Sequence, residues 1–167
     1  SGVFSEVLEK FYKKDLALIY NSLSDAKKEI QLSSMSKILE SKKMKESSAK
    51  STLESIELIG QIQKSNGEKG CHRYIISHNQ SALNILEVHK MFEITGWINP
   101  SIDIVPLFET IEDLKNSVSV MEKVYNNSIY KNHLENRNNE QIVMLGFSDG
   151  TKDGGYLTAN WNLSLIH

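Results

Sequence analysis

Apolar residues recur at helical spacing through roughly the first 68 positions and gather into short dense runs after that. In VFSEVLEKFYKKDLALIYNSL, the residues Val3, Val7, Leu8, Phe11, Leu16 and Ile19 fall near helical spacing and predict one amphipathic helix. Ser24-Asp25 is placed to cap a second helix carrying Ile30, Leu32, Met35 and Leu39. SKKMKESSAK, residues 41–50, reads as a Lys/Ser-rich linker or a helix start. In STLESIELIGQIQ, Leu53, Ile56, Ile59 and Ile62 stand three apart and predict a third helix from Ser51. SNGEKG closes it, with Gly67 or Gly70 able to take positive φ.

The pattern then changes. HRYIISH from His72, IDIVPLFET from Ile102 and QIVMLGFSD from Gln141 are short, apolar and rich in β-branched residues, as buried strands are. Pro106 inside the second costs that strand one ladder donor. Helical patterns follow each strand. NQSALNILEVHKMFEITGW is to be capped by Asn79 or Ser77 and ended by Gly96. TIEDLKNSVSVMEKVYNN carries Thr110 and Asp113 at capping-box spacing. SIYKNHLENRNNE reads as a short helix and a polar loop, and GGYLTANWNLSLI opens a last helix. Strand–helix alternation is the pattern of parallel β/α units. Three strands cannot close a barrel, so the fold expected is α/β: a small open sheet, or part of a (β/α)₈ barrel, preceded by an all-helical stretch. The expected domains are 1–68, helical, and 69–167, β/α.

Composition narrows the function little. Of 167 residues, 40% are apolar and 24% charged, which fits one globular domain. A formal net charge of -2, with no basic stripe among the aromatics, gives no pointer to nucleic acid or to an anionic membrane. No apolar run nears the roughly 20 residues of a membrane span, and there is no signal peptide. The single cysteine, Cys71, leaves no internal disulfide and fits a reducing compartment.

In parallel β/α folds the chemistry lies at the carboxyl ends of the strands. The first predicted strand ends in Ser77-His78-Asn79, the second in Glu109-Thr110, and the third in Ser148-Asp149, followed by Lys152-Asp153. Glu109 shares strand parity with Val105 and Leu107, and Asp149 with Val143, Leu145 and Phe147. Two carboxylates at neighbouring strand ends suit Mg²⁺ or Mn²⁺ held jointly with a substrate anion. Lys152 adds an ammonium that can hold a carboxylate, bicarbonate or phosphate. The plainer readings are a helix cap or a solvated charge for each acid, and a surface lysine for Lys152. His78 reads as a base or as hydrogen-bonded structure, and His72 and His89 as structural or exposed. Cys71 and His72 point to opposite faces of a strand and make no nucleophile pair.

GFSDGTKDGGY, residues 146–156, admits two further readings. Asp149-x-Thr151-x-Asp153-Gly154 begins like a calcium-binding helix–loop–helix, but its twelfth position is Asn160 rather than glutamate, and a strand-like run precedes it. A phosphate loop ends in Gly-Lys-Ser/Thr, whereas here Lys152 precedes Asp153.

HRYIIS, IVPLFETIEDL and MLGFSDGTKDGGYLTANW, in this order, resemble phosphoenolpyruvate carboxylase. The resemblance is specific from Gly70 to about Leu163 and weaker over the preceding helices. It implies a mostly helical protein around a (β/α)₈ barrel. The family is cytoplasmic, usually homotetrameric, under allosteric control and dependent on Mg²⁺ or Mn²⁺. Its substrates are phosphoenolpyruvate and bicarbonate. Bicarbonate attacks the phosphate to give carboxyphosphate and the enolate of pyruvate, and the products are oxaloacetate and phosphate. By resemblance, Glu109 and Asp149 match the two metal-binding acids, and Lys152 matches the lysine of the SD-x-x-KD loop. Gly150 stands where serine is usual and Phe147 where tyrosine is. The family's catalytic-histidine motif, its arginine-containing barrel segment and its Gly-Arg-Gly-Gly loop are not in this sequence. Together with Ser1-Gly2 and an end inside a helix, this reads as a cut domain, inactive alone and prone to self-association. The alternatives are a non-catalytic module binding a divalent cation or a partner, and another metal-dependent lyase or aldolase-type barrel.

Overall fold

The computed structural model describes residues 2–11, 14–36, 38, 41 and 44–166. The chain divides into two units, Ser1–His72 with Leu86–Ser101, and Arg73–Ile85 with Ile102–His167. None of the described helices is long and apolar enough to cross a membrane.

The first unit is helical. The single helix expected over residues 3–23 is instead described as α1 (Gly2–Phe11) and α2 (Lys14–Ser22), on either side of residues 12 and 13, which lie outside the described residues. The side chains of Phe11 and Leu16, and the whole of Leu39, lie outside them too. Val7 and Leu8 are fully buried, as their spacing predicts, Val3 is half-buried and Ile19 exposed, and Phe4 is fully buried as well. Phe4 packs on Tyr20 with ring centroids 5.5 Å apart. The Tyr20 hydroxyl donates to the buried carboxylate of Glu87, 3.1 Å away. Burial, then the neighbouring charge of Glu87, pushes the phenol pKa well above its ordinary value. Helix α3 (Asp25–Ser34) follows Ser24, whose side chain makes no cap bond. Helix α4 (Ser48–Asn66) begins three residues before Ser51, because the Ser47 hydroxyl accepts from the Lys50 amide. It buries Leu53 and Ile56 and stops at Gly67, whose φ of 83° needs no Cβ. A 3₁₀ turn, Glu68–Gly70, leads out of it. Gln63 ties the Cys71 and Ser101 carbonyls together through its amide nitrogen, at 2.6 and 2.9 Å.

The second unit holds three parallel strands in the order β1-β2-β3: β1 (Arg73–Ile76), β2 (Asp103–Phe108) and β3 (Met144–Leu145). Arg73 pairs with Asp103, Ile76 with Pro106, and Phe108 with Leu145. Burial on both faces holds for the central strand β2 and fails for its neighbours. Ile75 in β1 and Met144 in β3 are 54% and 44% exposed. A central strand is covered by what lies on both sides of it, and a flanking strand is not. Helix α5 (Ala82–Ile94) follows β1, and positive φ at Gly96 comes just after it, as expected. Neither Asn79 nor Ser77 caps it. Asn84 Oδ1 accepts from the Gln80 and Ser81 amides instead, at 3.2 and 3.1 Å.

Helix α6 (Ile111–Asn126) carries the predicted capping box. Thr110 Oγ1 accepts from the Asp113 amide, and Asp113 Oδ2 accepts from the Thr110 amide, both at 3.1 Å. Thr110→Ala is expected to cost about 1 kcal/mol in urea unfolding, with no change in the slope of the transition. Helix α7 (Ser128–Glu135) is capped by Asn127. Left-handed Asn138 and Asn139 then turn the chain toward β3. Arg137 Nε reaches Asp103 Oδ1 at 2.8 Å and fixes the start of β2. The strand expected over residues 141–149 survives only as Met144–Leu145. Gly146 ends it by donating its amide to the Phe108 carbonyl at 2.8 Å. Residues from Phe147 wind into α8 (Phe147–Gly154), and Gly155, at φ 80°, separates it from α9 (Tyr156–Ile166).

Candidate metal and anion site

Glu109 directly follows β2, at the carboxyl end of the sheet, as its position in the sequence predicts. Its carboxylate Oε2 accepts a long bond, 3.4 Å, from the His78 amide on the loop after β1. His78 is exposed and left-handed, with φ 52°.

Asp149 is placed differently from expectation. It lies in the first turn of α8 rather than on a strand end, so alternation along a strand does not govern where it points. Gly146 explains how α8 nevertheless meets Glu109, while Gly150 lies within ordinary contact of it. A Cβ on Gly146 would lie 2.9 Å from Glu109 Cα and 3.2 Å from the Phe108 carbonyl oxygen. A Cβ on Gly150 would lie 3.4 Å from the Glu109 carbonyl oxygen. The first turn of α8 is therefore seated on the backbone of Glu109, at a range that a side chain at 146 would deny. Lys152 sits in the last turn of α8, not on a loop. Its ammonium is 3.4 Å from Asp149 Oδ1, and both side chains are largely exposed. Such a pair contributes at most about 1 kcal/mol, so both groups can be turned to a ligand at little cost.

Asp153 holds the arrangement from the other side. Its Oδ2 accepts the Ile111 amide at 2.9 Å and so ties the end of α8 to the start of α6. The sequence signal for this role was the acid four residues after Asp149 in a glycine-rich stretch, which becomes legible only once the stretch is helical. Of the histidines, His72 Nδ1 lies 3.0 Å from the Lys69 carbonyl and His89 is buried. Among the described residues, no cluster of three or more His, Cys, Asp or Glu is placed to hold a metal. Glu109 and Asp149 each carry carboxylate oxygens, the donor type that hard cations take.

The sequence model of the family described as phosphoenolpyruvate carboxylase matches residues 1–165. Curated relatives agree. The phosphoenolpyruvate carboxylase of Gloeobacter violaceus is 39% identical over 119 residues, covering 68% of this chain and 13% of the relative. That of Corynebacterium efficiens is 46% identical over 96 residues, 53% of this chain and 10% of the relative. That of a Synechococcus species is 32% identical over 174 residues, 98% of this chain and 16% of the relative. The matches thus take in most of this chain and only 10% to 16% of those relatives' length. The chain belongs to the phosphoenolpyruvate carboxylase family.

Proposed function

We propose that this chain carries the metal-holding part of a phosphoenolpyruvate carboxylase, with Glu109 and Asp149 as ligands to Mg²⁺ or Mn²⁺ and Lys152 as the anion-holding cation. The whole protein then carboxylates phosphoenolpyruvate with bicarbonate, giving oxaloacetate and phosphate. The observation that carries this reading is the seating of the start of α8 on Glu109 through Gly146, which joins the turn bearing Asp149 to the second acid. The order β1-β2-β3, with helices after each strand, supports placing the second unit within a (β/α)₈ barrel.

When bound, the cation supplies positive charge to an enolate oxygen as it develops. The chain's own residues bind and orient. Glu109 and Asp149 offer oxygens, and Asp153 and Gly146 hold the backbone that carries them. Lys152 gives up its weak pair with Asp149 to hold a phosphate or bicarbonate oxygen. The arginine and histidine motifs of the family are not among these 167 residues, so the chain by itself is read as inactive. The protein is read as cytoplasmic, and the whole enzyme as a homotetramer.

Mn²⁺ titration followed by electron paramagnetic resonance tests the site. Saturable binding is expected in the wild type, weakened at least tenfold by Glu109→Ala and by Asp149→Ala. Binding that neither substitution alters would remove both acids from the site. Self-association of the isolated chain is expected as well. Leu157, Trp161 and Leu165 stand four apart on α9 and are 62% to 82% exposed, a stripe that a second copy can cover. Size-exclusion chromatography with light scattering checks this, and a clean monomer refutes it.

A further inference from the structure

Asn79 stands on the loop between β1 and α5, one residue past His78. It is only 1% exposed. Its Oδ1 and Nδ2 both lack a hydrogen-bond partner among the described residues. The obvious role for an asparagine before a helix is the cap, but Asn79 makes no such bond, and the Gln80 and Ser81 amides of its loop are taken by Asn84. A buried amide with donor and acceptor both unmet is costly and is rarely kept without a use. The same loop carries a second cost, because His78 is a non-glycine residue at φ 52°. The His78 amide is held against the site by its 3.4 Å bond to Glu109 Oε2. That acceptor is an oxygen of a proposed metal ligand.

We propose that residues 77–79 form a strap pinned on Glu109 and hinged where Asn84 holds the Gln80 and Ser81 amides, which opens when Glu109 takes a cation and then presents the Asn79 amide to a hydroxylated oxyanion at the carboxyl end of the sheet. The proposal rests on the metal reading of Glu109 given above. A cation on the carboxylate draws Oε2 away from the His78 amide and removes the pin. The loop, no longer held in a left-handed turn, then turns outward and takes Asn79 from a site where neither of its polar atoms is met. The class of ligand follows from what those atoms lack. Nδ2 needs an acceptor and Oδ1 needs a donor. A simple carboxylate supplies only the first, whereas bicarbonate, with O⁻ and O–H on one carbon, supplies both. Asn79 would then be a residue that selects bicarbonate, and the coupling to Glu109 would admit it only after the cation.

Hydrogen exchange of the full 167-residue chain, read by mass spectrometry on peptides spanning residues 77–79, tests each part. Without metal, Glu109→Ala is expected to speed exchange there about tenfold while leaving β2 unchanged; no change overturns the pin. Mn²⁺ is expected to speed it similarly in the wild type. Saturable Mn²⁺ binding with an unchanged strap overturns this inference and leaves the metal site standing, whereas no saturable binding sinks the metal site and the trigger together. With Mg²⁺ present, bicarbonate is expected to slow exchange in the wild type, and acetate to have no effect. Equal slowing in Asn79→Leu would take Asn79 out of the contact. Asn79→Leu keeps the volume and removes both unmet groups, so its melting temperature is expected to rise by about 2–6 °C. A fall would mean the amide is satisfied where it lies, and would overturn the proposal.

Discussion

Gly146→Ala lowers stability by about 2–3 kcal/mol and weakens Mn²⁺ binding along with it. The added methyl would stand 2.9 Å from Glu109 Cα and 3.2 Å from the Phe108 carbonyl oxygen, and both of these are backbone atoms. A flexible side chain could swing aside, but a strand end cannot. The clash is relieved only by moving β3 and the start of α8 away from β2. That movement stretches the 2.8 Å bond from the Gly146 amide to the Phe108 carbonyl. Overpacking of this kind costs on the order of 1–3 kcal/mol, and the loss of that bond puts the effect at the upper end. For a domain of this size the melting temperature falls by roughly 5–10 °C. Gly150→Ala serves as the comparison. Its Cβ would make contacts of 3.4 Å with the Glu109 carbonyl and 3.5 Å with Leu114 Cδ1, ordinary packing distances, so a much smaller loss is expected. Equal losses in the two variants would refute the seating of α8 on Glu109 through Gly146. Thermal melts and Mn²⁺ titration on the same samples separate the stability effect from the binding effect.

Acidification from pH 7 to pH 4 removes about 3 kcal/mol of stability through His89 alone. This imidazole is 4% exposed. Burial first, and then the charge of Lys90, pushes its pKa down from 6.5 to about 4. Between these two values the unfolded chain binds a proton on His89 and the folded chain does not. Stability therefore rises with pH through this window. The contribution is complete above about pH 6.5, declines as pH falls, and is exhausted near pH 4. Other groups change stability over the same range, so the measurement is a difference. Urea unfolding of the wild type and of His89→Leu at a series of pH values is expected to show the wild-type stability, taken relative to the variant, falling by about 3 kcal/mol between pH 7 and pH 4. Parallel curves would show that His89 already carries its proton in the folded state. The site acids play no part in this comparison.

The strands and helices differ in how much of them could be read from residues alone. Thr110 and Asp113 form a capping box because both partners lie within one turn, where spacing and geometry are the same thing. Gly67 and Gly96 take positive φ where the helical pattern stops, for an equally local reason. The run QIVMLGFSD reads as strand by apolarity, yet only Met144–Leu145 pairs. The length of a strand depends on its neighbour: β2 ends at Phe108, which stops the pairing after Leu145, and at the other end Pro106 offers no N–H and the Gln141 side chain takes the Ile104 carbonyl. Asn79 reads as a cap but makes no cap bond, and Asn84 holds the loop amides ahead of α5 instead, because such choices depend on the path of the loop and not on residue type.

The candidate site divides in the same way. Position at predicted strand ends singled out Glu109, Asp149 and Lys152, beside plainer readings as caps, solvated charges and a surface lysine, and the order of HRYIIS, IVPLFETIEDL and MLGFSDGTKDGGYLTANW carried the family. Local chemistry extends that far and no further. The helix under Asp149, the seating of Gly146 on Glu109, the reach of Asp153 to Ile111 and the unmet amide of Asn79 all depend on segments tens of residues apart being brought together. Contacts at such separation are set by packing and strand register, which no local pattern of residues encodes.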